Sequence, residues 1–238
     1  IYRYEQSRQL DPIVGVSFTG LFDFFVNAFG VDWLRWWKQG RPETEQGLEY
    51  KRKEREYLSW WKSIVRDRIY SFCDSRGLKK PNRFTTVQPS GTKSLLTGAS
   101  PGWHPPKATR FIRRMTFSRE DPVALACIEC GYTVVPAQSE QDENGNLLDD
   151  PYDPRCKEWL VEMPVAVSWA NLPGVDEIDV NNFSSLAQFD FYQIVQQDWT
   201  THNTSATIEF QEEEIGDLGK AIYHSIDLGQ GYVSAALM

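Results

Sequence analysis

The last third of the chain alternates between strand and helix patterns. Ala206, Ile208 and Phe210 alternate with polar residues, as in a half-buried strand, and an apolar run over 232–237 predicts a further strand. Between them, apolar residues recur at helical spacing, at Ile215, Leu218, Ile222 and Ile226. Two strands joined by a helix are the usual form of a parallel pair. The sequence therefore predicts an α/β fold.

The composition narrows the class of protein. The 238 residues are 41% hydrophobic and 13% aromatic, which is enough for a packed core. A net charge of −8 argues against a surface that neutralises nucleic-acid phosphates. No apolar run reaches the roughly 18 residues that cross a bilayer, and no export signal begins the chain. We therefore expect a cytoplasmic protein whose four cysteines are reduced.

The first third reads as helical. Residues 11–30 form an apolar stretch that predicts one helix, and residues 32–80 predict a helical insertion rich in tryptophan. Gly77 is placed to end that insertion. Apolar residues late in the insertion recur at helical spacing and predict a buried stripe, namely Trp61, Ile64, Val65, Ile69 and Phe72 together with Arg68.

The middle of the chain mixes both patterns. Residues 83–87 predict a short strand because they are rich in β-branched and aromatic side chains. Ser118 or Asp121 can cap a helix that ends near Cys130. The strand patterns over 132–135 and 158–167 predict a long hairpin around a polar excursion at 137–157. With no internal repeat, we expect one domain over residues 1–238.

The segment Pro89–Ser94 follows the predicted strand directly. Gly91 permits close backbone approach, hydroxyl groups converge ahead of a helical turn, and Lys93 adds a positive charge. This combination suits an anion, although clusters of Ser, Gly and Thr also form ordinary turns and caps. The segment is not a Walker loop, because residues 85–90 contain no glycine and Lys93 follows a threonine.

A family resemblance adds to this pattern. Residues 85–96 and 98–105 (TTVQPSGTKSLL and GASPGWHP) resemble the substrate-phosphate loop of ribonucleotide reductases, above all the adenosylcobalamin-dependent class II enzymes. The segments 14–20, 160–165 and 196–210 resemble other parts of the same enzymes in the same order, the first of them a helix that precedes the loop. The resemblance runs from about residue 12 to the end.

The resemblance implies a fold and a chemistry. The fold is a ten-stranded α/β barrel, of which this chain would form roughly the second half, with a helical tryptophan-rich insertion. The reaction converts ribonucleotides to deoxyribonucleotides through a cysteine thiyl radical, with a glutamate base and two reducing cysteines. The resemblance implies adenosylcobalamin as cofactor. It also implies that the substrate phosphates are bound by Ser90, Gly91, Thr92, Lys93 and Ser94.

Several family features are absent from the sequence. The radical-cysteine motif Asn-Pro-Cys-Gly-Glu does not occur, and the chain begins at Ile1 instead of Met. We therefore expect a piece of a longer enzyme that is inactive alone and acts with an amino-terminal half and a thiol reductant. Cys127 and Cys130 share a C-x-x-C spacing, but the family has no catalytic pair at that place. They are read as partly buried structural thiols.

The end of the chain bears on the class of reductase. Enzymes that import their radical carry adjacent tyrosines on the last barrel strand, and residues 233–238 contain none. This favours class II. The alternatives are a piece of a class I large subunit and a non-catalytic nucleotide-binding or assembly module. We expect triphosphate substrates, no bound metal and, because a half barrel exposes strand edges, self-association or a need for a partner.

Overall fold

The computed structural model describes residues 2–91 and 93–238 and divides into two compact units. One unit combines the chain up to Ala108 with Val167–Met238, and the other is Thr109–Ala166. The α-helices are α1 (Tyr2–Leu10), α2 (Leu21–Phe29), α3 (Val31–Lys38), α4 (Glu45–Arg76), α5 (Lys93–Thr97), α6 (Pro122–Glu129), α7 (Ser185–Asp198) and α8 (Ile215–Asp227). The strands are β1 (Ile13–Val16), β2 (Arg83–Thr85), β3 (Arg110–Ser118), β4 (Thr133–Pro136), β5 (Glu158–Ala166), β6 (Thr207–Ile208) and β7 (Ala236–Leu237).

The larger unit contains parallel strands. β1 pairs with β2, with Ile13 opposite Arg83. The chain beyond β2 continues into a parallel bridge between Val87 and Thr204. β6 pairs in parallel with β7 across the connection that contains α8. The parallel pairing predicted for the last third of the sequence is therefore confirmed.

The smaller unit is an antiparallel sheet in the order β3–β5–β4. β4 and β5 form the predicted long hairpin. Helix α6 begins where the sequence predicts, because the Asp121 side chain accepts a hydrogen bond from the Val123 amide. Strand β3 was not predicted from the sequence. Its half-buried face includes Arg113, which interrupts the apolar alternation of the other inward residues, Phe111, Met115 and Phe117.

Aromatic rings fill the centre of the larger unit. Phe22 of α2 contacts Trp33 and Trp37 of α3, with ring centroids 5.0 and 5.1 Å apart in edge-on geometry. Phe191 of α7 lies 5.2 Å from Trp37 in the same geometry. All four side chains are fully buried. Each such pair adds about 0.5–1.5 kcal/mol beyond the burial of its area, so this cluster joins α2, α3 and α7 firmly.

A buried ion pair borders the aromatic cluster. Arg41 donates to both carboxylate oxygens of Glu54, at 3.0 and 2.7 Å, and neither side chain is exposed. Trp33 Nε1 also donates to Glu54, at 2.8 Å, and Arg41 Nε donates to Asp190 at 2.7 Å. Burial alone would raise the pKa of Asp190, but the charges of Arg41 and Lys51 outweigh it and hold that pKa below its usual range.

Helix α4 contacts the core mainly through its first half. Tyr50, Glu54 and Leu58 are buried there. The predicted buried stripe in the second half is wrong, since Ile64 is 49% and Phe72 56% exposed, Arg68 is exposed, and Trp61, Val65 and Ile69 are half-buried. The helix has 32 residues and is therefore about 48 Å long, and Cys73 is the one buried residue of its second half. It ends at Gly77, in a left-handed conformation, as the sequence predicts.

The single helix predicted over residues 11–30 is also wrong. Residues Ile13–Val16 form β1, and only Leu21–Phe29 form a helix. The β-branched residues of β1 pack well in a strand, and Gly20 has a φ of 75°, which a continuous helix does not allow. The segment that resembles a reductase helix is therefore a strand followed by a loop.

The mixture of helices and strands agrees with the predicted α/β class. Two compact units do not show whether the chain folds as one domain, so the single-domain expectation stays a prediction. Among the described residues, no helix combines the length and the apolar character needed to span a membrane.

Candidate anion-binding site

The loop Pro89–Ser94 follows β2 and includes the first two residues of α5, in the strand–loop–helix order that the sequence predicts. The chain that enters it is fixed to the neighbouring strand. The Thr86 amide donates to the Val16 carbonyl at 3.0 Å, and the Gln88 amide donates to Ser17 Oγ at 3.1 Å. The position of the loop is therefore set by β1 and by the residues that follow β1.

Ser90 is buried and adopts a left-handed backbone conformation, with a φ of 39°. Its hydroxyl accepts a hydrogen bond from the Gly102 amide at 2.8 Å and lies 3.1 Å from Thr19 Oγ1. Thr19 in turn donates to the Ser100 carbonyl at 2.9 Å. A positive φ is uncommon for a residue with a side chain, so this hydrogen-bonded environment maintains the turn.

The other candidate residues divide into inward and outward groups. Ser94 is 1% exposed, and its hydroxyl donates to the Gly91 carbonyl at 3.0 Å. Gly91 and Lys93 are exposed, and Lys93 Nζ donates to Gln88 Oε1 at 2.7 Å. Thr92 lies outside the described residues. The two serine hydroxyls therefore brace the loop, while Gly91 and Lys93 face solvent.

Asp23 of α2 fixes the turn behind the loop. Its carboxylate accepts hydrogen bonds from the Ser100 amide at 2.6 Å, the Ser100 hydroxyl at 2.9 Å and Trp169 Nε1 at 2.8 Å. The amides of Gly20 and Leu21 donate to the carbonyls of Ser100 and Gly102, at 2.8 and 3.0 Å. The start of α2 and residues 100–102 therefore form one hydrogen-bonded unit. No local sequence pattern indicates the roles of Asp23 and Thr19, because both act across more than 70 residues.

Gly20 is required at this junction. Its φ is 75°, and a Cβ atom there would lie 2.9 Å from the Ala99 side chain. No real Cβ contact is that short without displacement of a neighbour. Gly20 therefore permits the close approach between the start of α2 and the chain that leaves α5.

The dipeptide Trp103–His104 connects the same turn to β6. The indole Nε1 of Trp103 donates to the Ser205 carbonyl at 2.9 Å, and the Thr207 amide donates to His104 Nε2 at 3.0 Å. The two rings stack, with centroids 4.4 Å apart. Burial lowers the pKa of His104 below its usual value, against a hydrogen bond to the Pro101 carbonyl that raises it.

This arrangement can bind an anion. Residues 89–94 contain no carboxylate and one cation, Lys93. The Ser94 amide at the start of α5 donates to the Ser90 carbonyl at 2.9 Å and so helps to brace the loop. An exposed cation held on a braced loop suits phosphate oxygens. The loop offers binding and orientation, and its residue types do not include a base or a thiol.

None of the four cysteines belongs to the segment Pro89–Ser94. Cys127 of α6 is half-buried, Cys130 is exposed, and both belong to the smaller unit. Cys73 and Cys156 are buried, and burial raises the pKa of the Cys156 thiol. All four are free thiols.

Known proteins resemble the chain over most of its length. No family model matches it. It is 27% identical over 220 residues to a protein of Lacticaseibacillus paracasei, 28% over 225 residues to one of Lactobacillus leichmannii, and 28% over 203 residues to one of Euglena gracilis. Each is named adenosylcobalamin-dependent ribonucleoside-triphosphate reductase. The alignments cover 90%, 90% and 85% of this chain but 27%, 28% and 22% of those proteins.

A solved structure shows the same fold. A B-12 dependent (class II) ribonucleotide reductase superposes with a TM-score of 0.70 and 21% identity, over 98% of this chain and 31% of that one. The chain is thus similar to ribonucleotide reductases and spans less than a third of their length. The similar proteins are adenosylcobalamin-dependent by name, which confirms the resemblance found in the sequence and agrees with the implied cofactor.

Proposed function

We propose that the chain is part of an adenosylcobalamin-dependent ribonucleotide reductase and that Pro89–Ser94 binds the phosphates of the ribonucleotide. The observation that carries the proposal is the bracing of the loop from behind. Ser90 is held by Gly102 and Thr19, which leaves Gly91 and Lys93 exposed to solvent. A rigid set of donors binds a phosphate group with little loss of conformational entropy.

The loop residues have different roles in this proposal. Lys93 supplies the charge and a charge-assisted donor, whereas the Ser94 amide keeps the loop in shape through its hydrogen bond to the Ser90 carbonyl. Gly91 allows a phosphate oxygen to approach the backbone, because nothing lies within 4 Å of the position of a Cβ atom there. Ser90 and Ser94 maintain the shape of the loop, because their hydroxyl groups bond to Thr19 Oγ1 and to the Gly91 carbonyl. Thr92 completes the set.

The remainder of the enzyme is proposed from the relatives. The parallel strands β1, β2, β6 and β7 would form part of the second half of a ten-stranded α/β barrel. The radical cysteine would lie in an amino-terminal half, and a thiol reductant would restore the reduced state. The product would be a deoxyribonucleotide, formed in the cytoplasm from a triphosphate substrate. The four cysteines of this chain would take no part in the chemistry.

One groove among the described residues is too small for adenosylcobalamin. A groove of about 360 Å³ lies between α4, α7 and α8, lined by Arg55, Asp190, Gln193 and His224 among others. That volume is at the lower end for drug-sized ligands. A corrin ring with its nucleotide arm is larger, so this groove does not hold the cofactor. Under the proposal, other parts of the enzyme would bind it.

The phosphate assignment is tested by ligand binding. Equilibrium dialysis with a labelled ribonucleoside triphosphate compares the unsubstituted chain with Lys93→Ala. Loss of one charge-assisted contact is expected to weaken binding at least about tenfold. Lys220→Ala is the matched control, because Lys220 is also exposed and lies on α8. Equal affinities for Lys93→Ala and the unsubstituted chain would disprove the assignment.

The reductase assignment is tested by reconstitution. The chain is combined with the amino-terminal half of a class II reductase, adenosylcobalamin, a ribonucleoside triphosphate and a dithiol. Formation of deoxyribonucleotide by the mixture, and by neither half alone, is expected. Folded halves that associate without forming product would contradict an enzymatic role and favour a non-catalytic nucleotide-binding module.

A further inference from the structure

We propose that His104 is a positioning residue, which holds the anion-binding loop in its binding shape through the neutral imidazole tautomer protonated on Nδ1. The inference rests on the proposed function of Pro89–Ser94 and adds a residue outside that loop. His104 does not touch the loop itself. It acts through Pro101 and Gly102, which lie between it and Ser90.

The tautomer follows from the hydrogen bonds of the ring. The Thr207 amide donates to Nε2 at 3.0 Å, so Nε2 must carry a lone pair. In a neutral imidazole the hydrogen is then on Nδ1. Nδ1 lies 3.2 Å from the Pro101 carbonyl, which accepts that hydrogen. The tautomer protonated on Nδ1 therefore satisfies both nitrogens. The tautomer protonated on Nε2 would direct its hydrogen at the hydrogen of the Thr207 amide.

The ring joins two parts of the larger unit. On one side is β6, which contains Thr207. On the other is the turn at Pro101, whose carbonyl also accepts the His104 amide at 3.0 Å. The next residue along that turn is Gly102, whose amide donates to Ser90 Oγ at 2.8 Å. A displacement of His104 from β6 would therefore move the group that keeps Ser90 in its left-handed conformation.

Protonation would break this connection. A hydrogen on Nε2 would face the hydrogen of the Thr207 amide, so the charged ring has no acceptor on that side. Lys107 is the charged group that acts on the ring, and it forms an ion pair with Glu209. Burial first, and the charge of Lys107 in addition, lower the pKa of His104. The connection is therefore present at neutral pH and is lost as the pH falls well below about 6.5, the ordinary histidine value.

The tautomer is measured directly by nitrogen NMR of the imidazole rings in the full chain at pH 7.5. The expected spectrum shows His104 with a protonated Nδ1 and an unprotonated Nε2. A ring protonated on Nε2, or one that exchanges rapidly between tautomers as an exposed histidine does, would overturn the proposal. This measurement requires no substitution and does not depend on what the loop binds.

The effect on the loop is measured by triphosphate affinity between pH 8 and pH 5. Neither His104→Gln, which keeps an acceptor near Thr207, nor His104→Asn, which keeps a donor near Pro101, can titrate. Each is expected to bind about fivefold more weakly than the unsubstituted chain at pH 8, the equivalent of one net hydrogen bond. At each pH the affinity of the unsubstituted chain is divided by that of the variant, so the titration of the phosphate itself cancels. That ratio is expected to fall towards one as the pH is lowered.

The controls separate the two proposals. His224→Gln, on the exposed surface of α8, is expected to follow the unsubstituted chain at every pH. Ratios for the His104 variants that stay constant from pH 8 to pH 5 would overturn the positioning role. If Lys93→Ala leaves affinity unchanged at every pH, the phosphate assignment fails. In that case the NMR result still decides the tautomer.

Discussion

The Arg41–Glu54 ion pair and the Pro89–Ser94 loop both contain buried polar groups, but they satisfy them differently. In the ion pair, full charges meet each other and an indole N–H, with no exposure to solvent. In the loop, neutral hydroxyls and backbone groups satisfy one another through Ser90 and Gly102, while Lys93 remains exposed.

This difference separates stability from binding. A buried ion pair is costly to break because the remaining charge has no partner. A loop braced by neutral groups has its shape fixed while its cation remains available to an external anion. Substitutions at the ion pair are therefore expected to unfold the protein without a specific effect on affinity. Substitutions around the loop are expected to lower the affinity for the anion and to have less effect on stability. The contrast between the two effects is expected to be greatest at Lys93.

The largest effect is expected for Glu54→Ala. It leaves Arg41 charged and buried without its main partner, and the free energy of unfolding is expected to fall by about 3–5 kcal/mol. Urea denaturation followed by tryptophan fluorescence measures this. The control is Glu56→Ala, two residues after Glu54, which removes an exposed ion-pair partner of Arg52. This substitution is expected to lower the free energy of unfolding by about 0–1 kcal/mol. Similar losses for both variants would contradict the distinction between the two regions.

Asp23→Ala is expected to have the next largest effect and to act on both properties. The Ser100 amide and Trp169 Nε1 would lose their acceptor, at a cost of about 2–3 kcal/mol in the free energy of unfolding. Triphosphate affinity is expected to fall as well, because the turn behind the loop loosens. The control is Asn27→Ala, one turn later on α2 and exposed. Unchanged affinity in a folded Asp23→Ala protein would show that the turn does not support the loop.

Gly20→Ala compares two causes of backbone strain. At Gly20 a methyl group meets both a positive φ and the Ala99 side chain, whereas at Gly77 a positive φ of 64° has open space around it. The cost in stability is expected to be about 1 kcal/mol for Gly77→Ala and up to about 3 kcal/mol for Gly20→Ala. Thermal denaturation of the two variants in parallel tests this, and equal costs would argue against a close approach at Gly20.

Lys93→Ala is expected to have the smallest effect on stability. An exposed lysine contributes within about 0.5 kcal/mol, so its denaturation midpoint is expected to match that of the unsubstituted chain. Its affinity for triphosphate nevertheless falls in the dialysis experiment. A Lys93→Ala variant that loses more than about 1 kcal/mol would instead indicate a structural role.

Local sequence features predicted several elements of both units. The β-branched residues before Pro89, the glycine at 77 and the aspartate at 121 act on their immediate neighbours, and each has the predicted effect. The family resemblance then gave the loop its chemical meaning, which residue patterns alone left open. The sequence thus predicts part of the structure of the loop.

Long-range contacts explain why the sequence did not predict the remaining features of the site and of α4. Asp23 reads as one polar residue in an apolar stretch, and only the approach of Ser100 across the fold explains it. His104 lies among prolines, and its acceptor role depends on Thr207. The periodicity in the second half of α4 is genuine, but periodicity does not tell how far the packing surface extends.

The pairing of β1 with β2 also has a kinetic consequence. The chain between Val16 and Arg83 contains α2, α3 and α4, so this pair closes a long loop before any hydrogen bond forms between its strands. Contacts of such high sequence separation slow folding, because the entropy of closure is lost before the contacts compensate it. The helices are expected to gain protection from hydrogen exchange early in refolding. The amides of Thr86, Gln88 and Gly102, whose hydrogen bonds depend on that closure, are expected to be among the last.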